Sequence, residues 1–256
     1  MTRVAFLGLG AIGRPMAARV ANRFPLAVWN RTAATATEVA GSIGAEAAAT
    51  PREAVRGAEV VITCLPTSNE VAALLDGPDG IMAGLGADAV VVDCTSGDPA
   101  TSQQIAKTLE KKGIQFLDAP VSGGTNGAAA GTLTVMVGGD PVVLERVKPV
   151  LSSFGARIVH MGPVGSGDAM KAVNNALLAI NILAVGEGLA ALAKSGVNAA
   201  LAIDVLNTSS GRSFVSENLI PELVLSRTFP NTFRLALLHK DIGIAVNLMK
   251  EMGVPD

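Results

Sequence analysis

Apolar residues in the first part of the chain come in short bursts, at 4–7, 26–29, 59–65, 89–93, 114–118, 132–137 and 157–160. Each burst is strand length, and turn-forming residues bound most of them. Between them lie segments with helical character at 14–23, 69–75, 99–112 and 141–151. The pattern changes at Gly165-Ser166-Gly167. From there it is helical only: a long segment at 166–194, a short one at 199–206, one at 214–225 interrupted by Pro221, and a last one at 233–252. Strands alternating with helices predict an α/β domain, and the uninterrupted helices predict an all-α domain after it. The long helix that opens the second part joins the two.

The first burst runs directly into Gly8-Leu9-Gly10-Ala11-Ile12-Gly13, and a helix follows. Between a strand and a helix this spacing has a mechanism. Gly8 allows the tight turn, Gly10 lets the backbone approach a pyrophosphate, and Gly13 lets helix and strand pack closely. The helix N-terminus then offers N–H groups to phosphate. This predicts a Rossmann-type dinucleotide-binding domain. The second strand ends in Asn30-Arg31-Thr32, where NAD-selective units place an acid on the ribose hydroxyls. No acid stands there, and Arg31 and Thr32 can hold a 2′-phosphate, which favours NADP over NAD. Ligands of open α/β sheets sit beyond the carboxyl ends of strands, so the residues after the later strands are candidates too. One such loop, Val121-Ser122-Gly123-Gly124, is small, polar and suited to a substrate carboxylate.

Composition narrows the classes. With 256 residues the chain can bury a large core. Lys plus Arg is 20 and Asp plus Glu 22, which leaves no electrostatic footprint for nucleic acid or an anionic membrane. A hydrophobic content of 49% against 16% charged residues implies extensive burial and a subunit interface. Two cysteines and two histidines exclude a disulfide framework and make a metal site improbable, so no metal is expected. The N-terminus lacks an apolar leader, and the run 177–193, broken by Asn181 and Glu187, reads as a buried helix. A cytoplasmic enzyme acting on a small molecule is the expectation.

Candidate chemistry centres on Lys171, set among Met170, Ala172 and Val173 in the first turns of the long helix. Asn175 lies one turn further on the same face. The chain has no tyrosine, so a Tyr-Lys acid/base pair is excluded. His160 ends a strand and reads as packed, while His239 stands beside Lys240 on a helix. Lys171 remains as the group that moves a proton while hydride is exchanged with a nicotinamide, or that stabilises a developing alkoxide by its charge. Lys240 can reach cofactor or substrate, or pair with Asp241.

Four motifs taken together carry a family resemblance: Gly8 to Gly13, Asp118-Ala119-Pro120-Val121-Ser122-Gly123-Gly124, Gly165-Ser166-Gly167 with Lys171 and Asn175, and Lys240-Asp241. In this order they resemble the β-hydroxyacid dehydrogenases. The resemblance implies a dinucleotide-binding domain at 1–162 and an all-helical substrate and oligomerisation domain at 163–256. It implies Lys171 as catalytic lysine, Ser122, Gly123, Gly124 and Asn175 around the substrate, and Leu65, Pro66, Thr95 and Lys240 against the cofactor. Asn30, Arg31 and Thr32 also look like the NADP-using members. A short β-hydroxy acid is the implied substrate, with 3-hydroxyisobutyrate leading. Tartronate, glyoxylate or succinate semialdehyde reduction is the sibling activity, and a non-catalytic cofactor-binding module the alternative from another class. Members are usually homodimers or homotetramers. Relatives continue past the equivalent of Asp256, so truncation is one reading of the chain's end and a natural terminus the other.

Overall fold

The computed structural model describes residues 1–229 and 233–254. Asp256, on which the truncation reading turns, lies outside the described residues, as do 230–232 within the second predicted domain. The chain forms two compact units, Met1–Lys171 and Ala172–Asp256.

In the first unit nine strands form one sheet: β1 (Val4–Leu7), β2 (Leu26–Trp29), β3 (Glu46–Ala47), β4 (Val60–Thr63), β5 (Val90–Asp93), β6 (Gln115–Asp118), β7 (Val121–Ser122), β8 (Leu133–Gly138) and β9 (Gly155–Gly162). Their order is β3-β2-β1-β4-β5-β6-β8-β7, with β9 also paired to β8. From β3 to β6 every pair is parallel, while β6 and β7 run antiparallel to β8. The order reverses between β1 and β4, the switch point beyond which such sheets bind their ligands. β1, β4 and β5 are fully buried on both faces, which explains why they read as unbroken apolar runs and not as alternation.

Helices Gly13–Ala21, Ala33–Ile43, Pro51–Val55, Ser68–Ala73, Pro99–Glu110, Gly124–Ala130 and Pro141–Leu151 connect the strands. Those at Pro99 and Pro141 start where sequence chemistry says they should. Asp98 and Asp140 cap them and proline takes the first helical position. The helices at 33–43, 51–55 and 124–130 and the two-residue strands β3 and β7 do not emerge from the apolar pattern. The Gly124–Ala130 helix has the sequence GTNGAAA, which offers no apolar stripe, and only Ala128 in it is buried. The 121–124 stretch, expected as a loop, is the short strand β7 followed by this helix start.

The second unit is helical, with Ala199–Asn207, Val215–Leu225 and Leu235–Glu251 following the long Ser166–Lys194 helix. The break expected at Pro221 is absorbed differently. Val215–Leu225 is wound as a π-helix with Pro221 inside it, and Ser226 N–H bonds back five residues to the Pro221 carbonyl. A small core of Leu189, Ala202, Ile203, Val215 and Ile220 holds these elements together.

The long helix corrects one expectation. Its most apolar stretch, expected to be buried, is only 6% buried in the single chain. Leu177, Ile180 and Leu183 are 54%, 60% and 63% exposed. The helix is apolar around most of its circumference, while one chain packs little more than one side of it. By length and composition alone it would also suffice to cross a membrane.

Candidate functional site

The glycine turn has the geometry its spacing predicts. Gly8 sits at φ 103°, in the left-handed region, and a Cβ there would meet the Cys64 carbonyl. A Cβ on Gly13 would strike the carbonyl of Gly8, so helix and turn are in direct backbone contact. Gly10 is exposed and a Cβ on it would meet nothing, leaving the backbone open to approach. Ala11 is exposed and Ile12 half-buried beside it. No side chain caps the Gly13–Ala21 helix. An open glycine before an uncapped helix N-terminus fits the pyrophosphate of a dinucleotide.

Side chains from the neighbouring strands brace this turn. Asn30 Oδ1 accepts the Leu9 N–H at 3.1 Å, and its Nδ2 donates to the Thr32 carbonyl at 3.3 Å. Asn30 therefore shapes the turn, while Arg31 and Thr32 lie exposed beside it. The Thr95 hydroxyl accepts the Leu65 N–H at 3.0 Å, and Thr95 is 1% exposed. Its hydroxyl is thus engaged in holding the Leu65–Pro66 turn, with Pro66 exposed at the β4 end.

Three buried carboxylates lie behind these strand ends, an arrangement that reading residues one motif at a time does not bring out. Asp93 and Asp118 end adjacent parallel strands and are register partners. Asp93 Oδ1 accepts the Thr63 hydroxyl at 2.8 Å and the Thr95 N–H at 3.0 Å. Asp118 receives the start of the long helix, taking Gly165 N–H on Oδ1 at 2.7 Å and Asp168 N–H on Oδ2 at 3.0 Å. Asp168 reaches the other way, accepting Gly97 N–H at 3.0 Å and the Ser102 hydroxyl at 2.6 Å. Gly167 makes room for this lacing, since a Cβ on it would strike the Met136 carbonyl.

The donors bias which of these acids carries charge. Both oxygens of Asp118 face backbone N–H groups, which cannot turn round to accept, and this favours its carboxylate form. The Ser102 hydroxyl can rotate and accept from a protonated Asp168. Burial pushes the Asp168 carboxyl well above its usual range, helped by the charges of Asp118 and Asp93. Burial raises Asp93 and Asp118 as well, while hydrogen bonds pull both back. The donor sets therefore favour the charge on Asp118 and the proton on Asp168. Both cysteines are free thiols; burial raises Cys94 well above the thiol range, and neither is a poised nucleophile.

Lys171 follows Asp168 by three residues on the same helix and is half-buried. The clasp of Asp118 and Asp168 thus fixes the turn that carries the lysine relative to the ends of β5 and β6. In the substrate-loop candidate, Ser122 is half-buried, and Gly123 and Gly124 are exposed at φ 135° and 64°. Within the second unit, Asn175 is 2% exposed and donates Nδ2–H to Asp241 Oδ2 at 2.6 Å. Asn174 Nδ2 donates to the Asn175 side-chain Oδ1 at 3.1 Å. Lys240 lies 3.0 Å from the other Asp241 oxygen. His160, expected to be packed, is exposed, with Nε2 2.8 Å from the Gly139 carbonyl. Among the described residues no cluster of three or more His, Cys, Asp or Glu side chains could hold a metal ion.

Residues 3–162 match the family model described as the NAD binding domain of 6-phosphogluconate dehydrogenase. Residues 165–256 match that described as NAD-binding of NADP-dependent 3-hydroxyisobutyrate dehydrogenase. The chain is 38% identical to 2-(hydroxymethyl)glutarate dehydrogenase of Eubacterium barkeri, over 99% of its own length and 84% of the relative's. It is 36% identical to the NAD-dependent L-serine dehydrogenase of Pseudomonas aeruginosa, over 96% and 84%. The solved structure of Mycobacterium tuberculosis 3-hydroxyisobutyrate dehydrogenase with L-serine superposes with a TM-score of 0.90 at 32% identity, covering 100% of this chain and 89% of that one. A Rossmann-type domain followed by a helical one, with these matches across both, places the chain in the β-hydroxyacid dehydrogenase family, as an oxidoreductase that acts on hydroxyl donors with a nicotinamide cofactor, close to the 3-hydroxyisobutyrate dehydrogenases.

Proposed function

We propose that the protein interconverts a short 3-hydroxy acid and its semialdehyde with NADP(H), and that 3-hydroxyisobutyrate is its leading substrate. The substrates named for the relatives share one chemical unit. 2-(Hydroxymethyl)glutarate, L-serine and 3-hydroxyisobutyrate each carry a hydroxymethyl group on the carbon that bears the carboxylate. The reacting class is then HOCH2–CHR–COO⁻, and the group R is where relatives differ.

The observation that carries this reading is the clasped helix start: Lys171 stands three residues beyond Asp168, and Asp118 and Asp168 tie that turn to the sheet's carboxyl end. Bound nicotinamide supplies or takes the hydride. Lys171 Nζ takes the hydroxyl proton in oxidation and returns it to the carbonyl oxygen in reduction. Ser122, Gly123 and Gly124 hold the carboxylate by hydroxyl and backbone N–H. Asn175 holds the substrate hydroxyl or carboxylate with its remaining amide hydrogen, its orientation set by Asp241 and Asn174. Arg31 and Thr32 take the 2′-phosphate, Leu65 and Pro66 line the cofactor, Thr95 braces that turn, and Lys240 reaches the cofactor.

Absorbance of the reduced nicotinamide, followed with NADP⁺ and then NAD⁺, tests the proposal. The substrates to offer are 3-hydroxyisobutyrate, L-serine, glycerate and 4-hydroxybutyrate. Turnover of 3-hydroxyisobutyrate with NADP⁺ preferred is expected. Turnover confined to 4-hydroxybutyrate, whose hydroxyl is too far from the carboxylate, would refute the substrate class.

The exposed apolar positions of the long helix support a homodimer or homotetramer with that helix in the subunit contact, because patches of this kind mark interfaces. Light scattering on the eluting protein would show a single chain mass if that is wrong. Two free cysteines fit a reducing compartment, and a cytoplasmic location is proposed on that ground.

A further inference from the structure

We infer that Glu70 is a specificity-determining residue for the cofactor, acting by competing with the 2′-phosphate for Arg31. The inference rests on the proposed role of Arg31 and goes beyond it.

β2 delivers Asn30, Arg31 and Thr32, and β4 delivers Leu65, Pro66 and Thr67; β1 lies between the two strands. Asn30 is committed to the glycine turn through Leu9 and Thr32, which leaves Arg31 as the cation of its loop. Glu70 stands at the third position of the Ser68–Ala73 helix and closes a capping box. Its Oε2 accepts the Thr67 N–H at 3.0 Å and the Thr67 hydroxyl at 3.3 Å. Its Oε1 faces Arg31 Nη1 at 3.5 Å. One carboxylate therefore bridges both loops.

The two partners differ in freedom, and that gives the device its direction. Glu70 is pinned by its cap. Arg31 is 84% exposed, and an exposed ion pair of this length holds it only weakly. A 2′-phosphate brings nearly two charges and a geometry that a guanidinium can meet with two hydrogen bonds. It can draw Arg31 away, but Glu70 stays behind as a negative charge beside the phosphate's ligand. NADP pays this cost, whereas NAD, with hydroxyls at that position, does not. Glu70 thus moderates the preference that Arg31 creates.

Glu70→Gln removes the charge and keeps the cap, because an amide oxygen serves in a capping box as a carboxylate does. Binding of NADP⁺ and NAD⁺ to the full chain is measured by titration calorimetry for the parent protein, Glu70→Gln, Arg31→Ala and the double variant. Glu70→Gln is expected to raise the ratio of NADP⁺ to NAD⁺ affinity about three- to tenfold, the size of a partly screened charge effect at this range. Arg31→Ala is expected to lower that ratio, and Glu70→Gln to have no effect on the ratio in its background. An unchanged ratio in Glu70→Gln overturns the inference while leaving the role of Arg31 standing. The same factor with and without Arg31 also overturns it, since Glu70 would then act directly on the phosphate. An unchanged ratio in Arg31→Ala overturns the NADP reading itself.

Discussion

Two isosteric substitutions in the buried acid clasp should have opposite consequences. Asp118→Asn replaces a carboxylate whose two oxygens accept the backbone N–H groups of Gly165 and Asp168. An amide offers one acceptor, so its NH2 group must face a second N–H donor that cannot turn away. The loss of one charge-assisted hydrogen bond is about 1.5–3 kcal/mol, and the orphaned donor adds about 1–3 kcal/mol. Removing a buried charge offsets part of this, because burial opposes ionisation of Asp118. The net is a destabilisation of about 2–4 kcal/mol. Asp168→Asn leaves no orphan. The amide oxygen keeps the Gly97 N–H, and Nδ2 donates to the Ser102 hydroxyl, which rotates to accept. It also ends the repulsion from Asp118 and Asp93, so stability at pH 8 should be unchanged or higher. Urea unfolding of both variants decides the matter. Equal losses in the two would refute the assignment of charge to Asp118 and of the proton to Asp168.

The same clasp makes stability depend on pH. Burial holds the folded Asp168 pKa above that of an ordinary aspartate, so between those two values the folded state holds more protons than the unfolded. Its contribution to stability therefore falls as pH rises through that window, and a denaturant midpoint series should show the slope flatten in Asp168→Asn. Lys171→Ala should abolish turnover while cofactor affinity, read by calorimetry, stays within about twofold, far less than the roughly hundredfold or greater rate loss expected for a proton-transfer group; substantial residual turnover would remove the lysine from the mechanism. Gly13→Ala sets a methyl against the Gly8 carbonyl and should cost both stability and dinucleotide binding; unaltered affinity for both cofactors would show that the turn is not where they bind. Asn175→Asp places a second acid against the buried Asp241 and should destabilise the second unit by about 3 kcal/mol, the scale for an uncompensated buried charge. A melting temperature equal to that of the parent would contradict the Asn175–Asp241 hydrogen bond.

What the sequence determined alone is local or nearly so. Val4–Leu7 followed by Gly8, Gly10 and Gly13 fixes a strand, a turn and a helix start, since Gly8 and Gly13 are where backbone meets backbone and Gly10 leaves the turn open. Asp98-Pro99 and Asp140-Pro141 announce their helices through cap and first-turn chemistry that involves only neighbours in the chain. The long apolar run predicts a helix, and the Ser166–Lys194 helix is there. Its environment was another matter: a hydropathy pattern says that a face is apolar and not what covers it, and in the single chain this one is open. The tertiary structure alone decided the acid clasp, because Asp93, Asp118 and Asp168 become neighbours only when adjacent strands and the helix start are set side by side. It also decided that Thr95 spends its hydroxyl on Leu65 and that Glu70 reaches Arg31 across two strand ends. These pairings depend on strand order, and strand order is a property of the sheet rather than of any one segment.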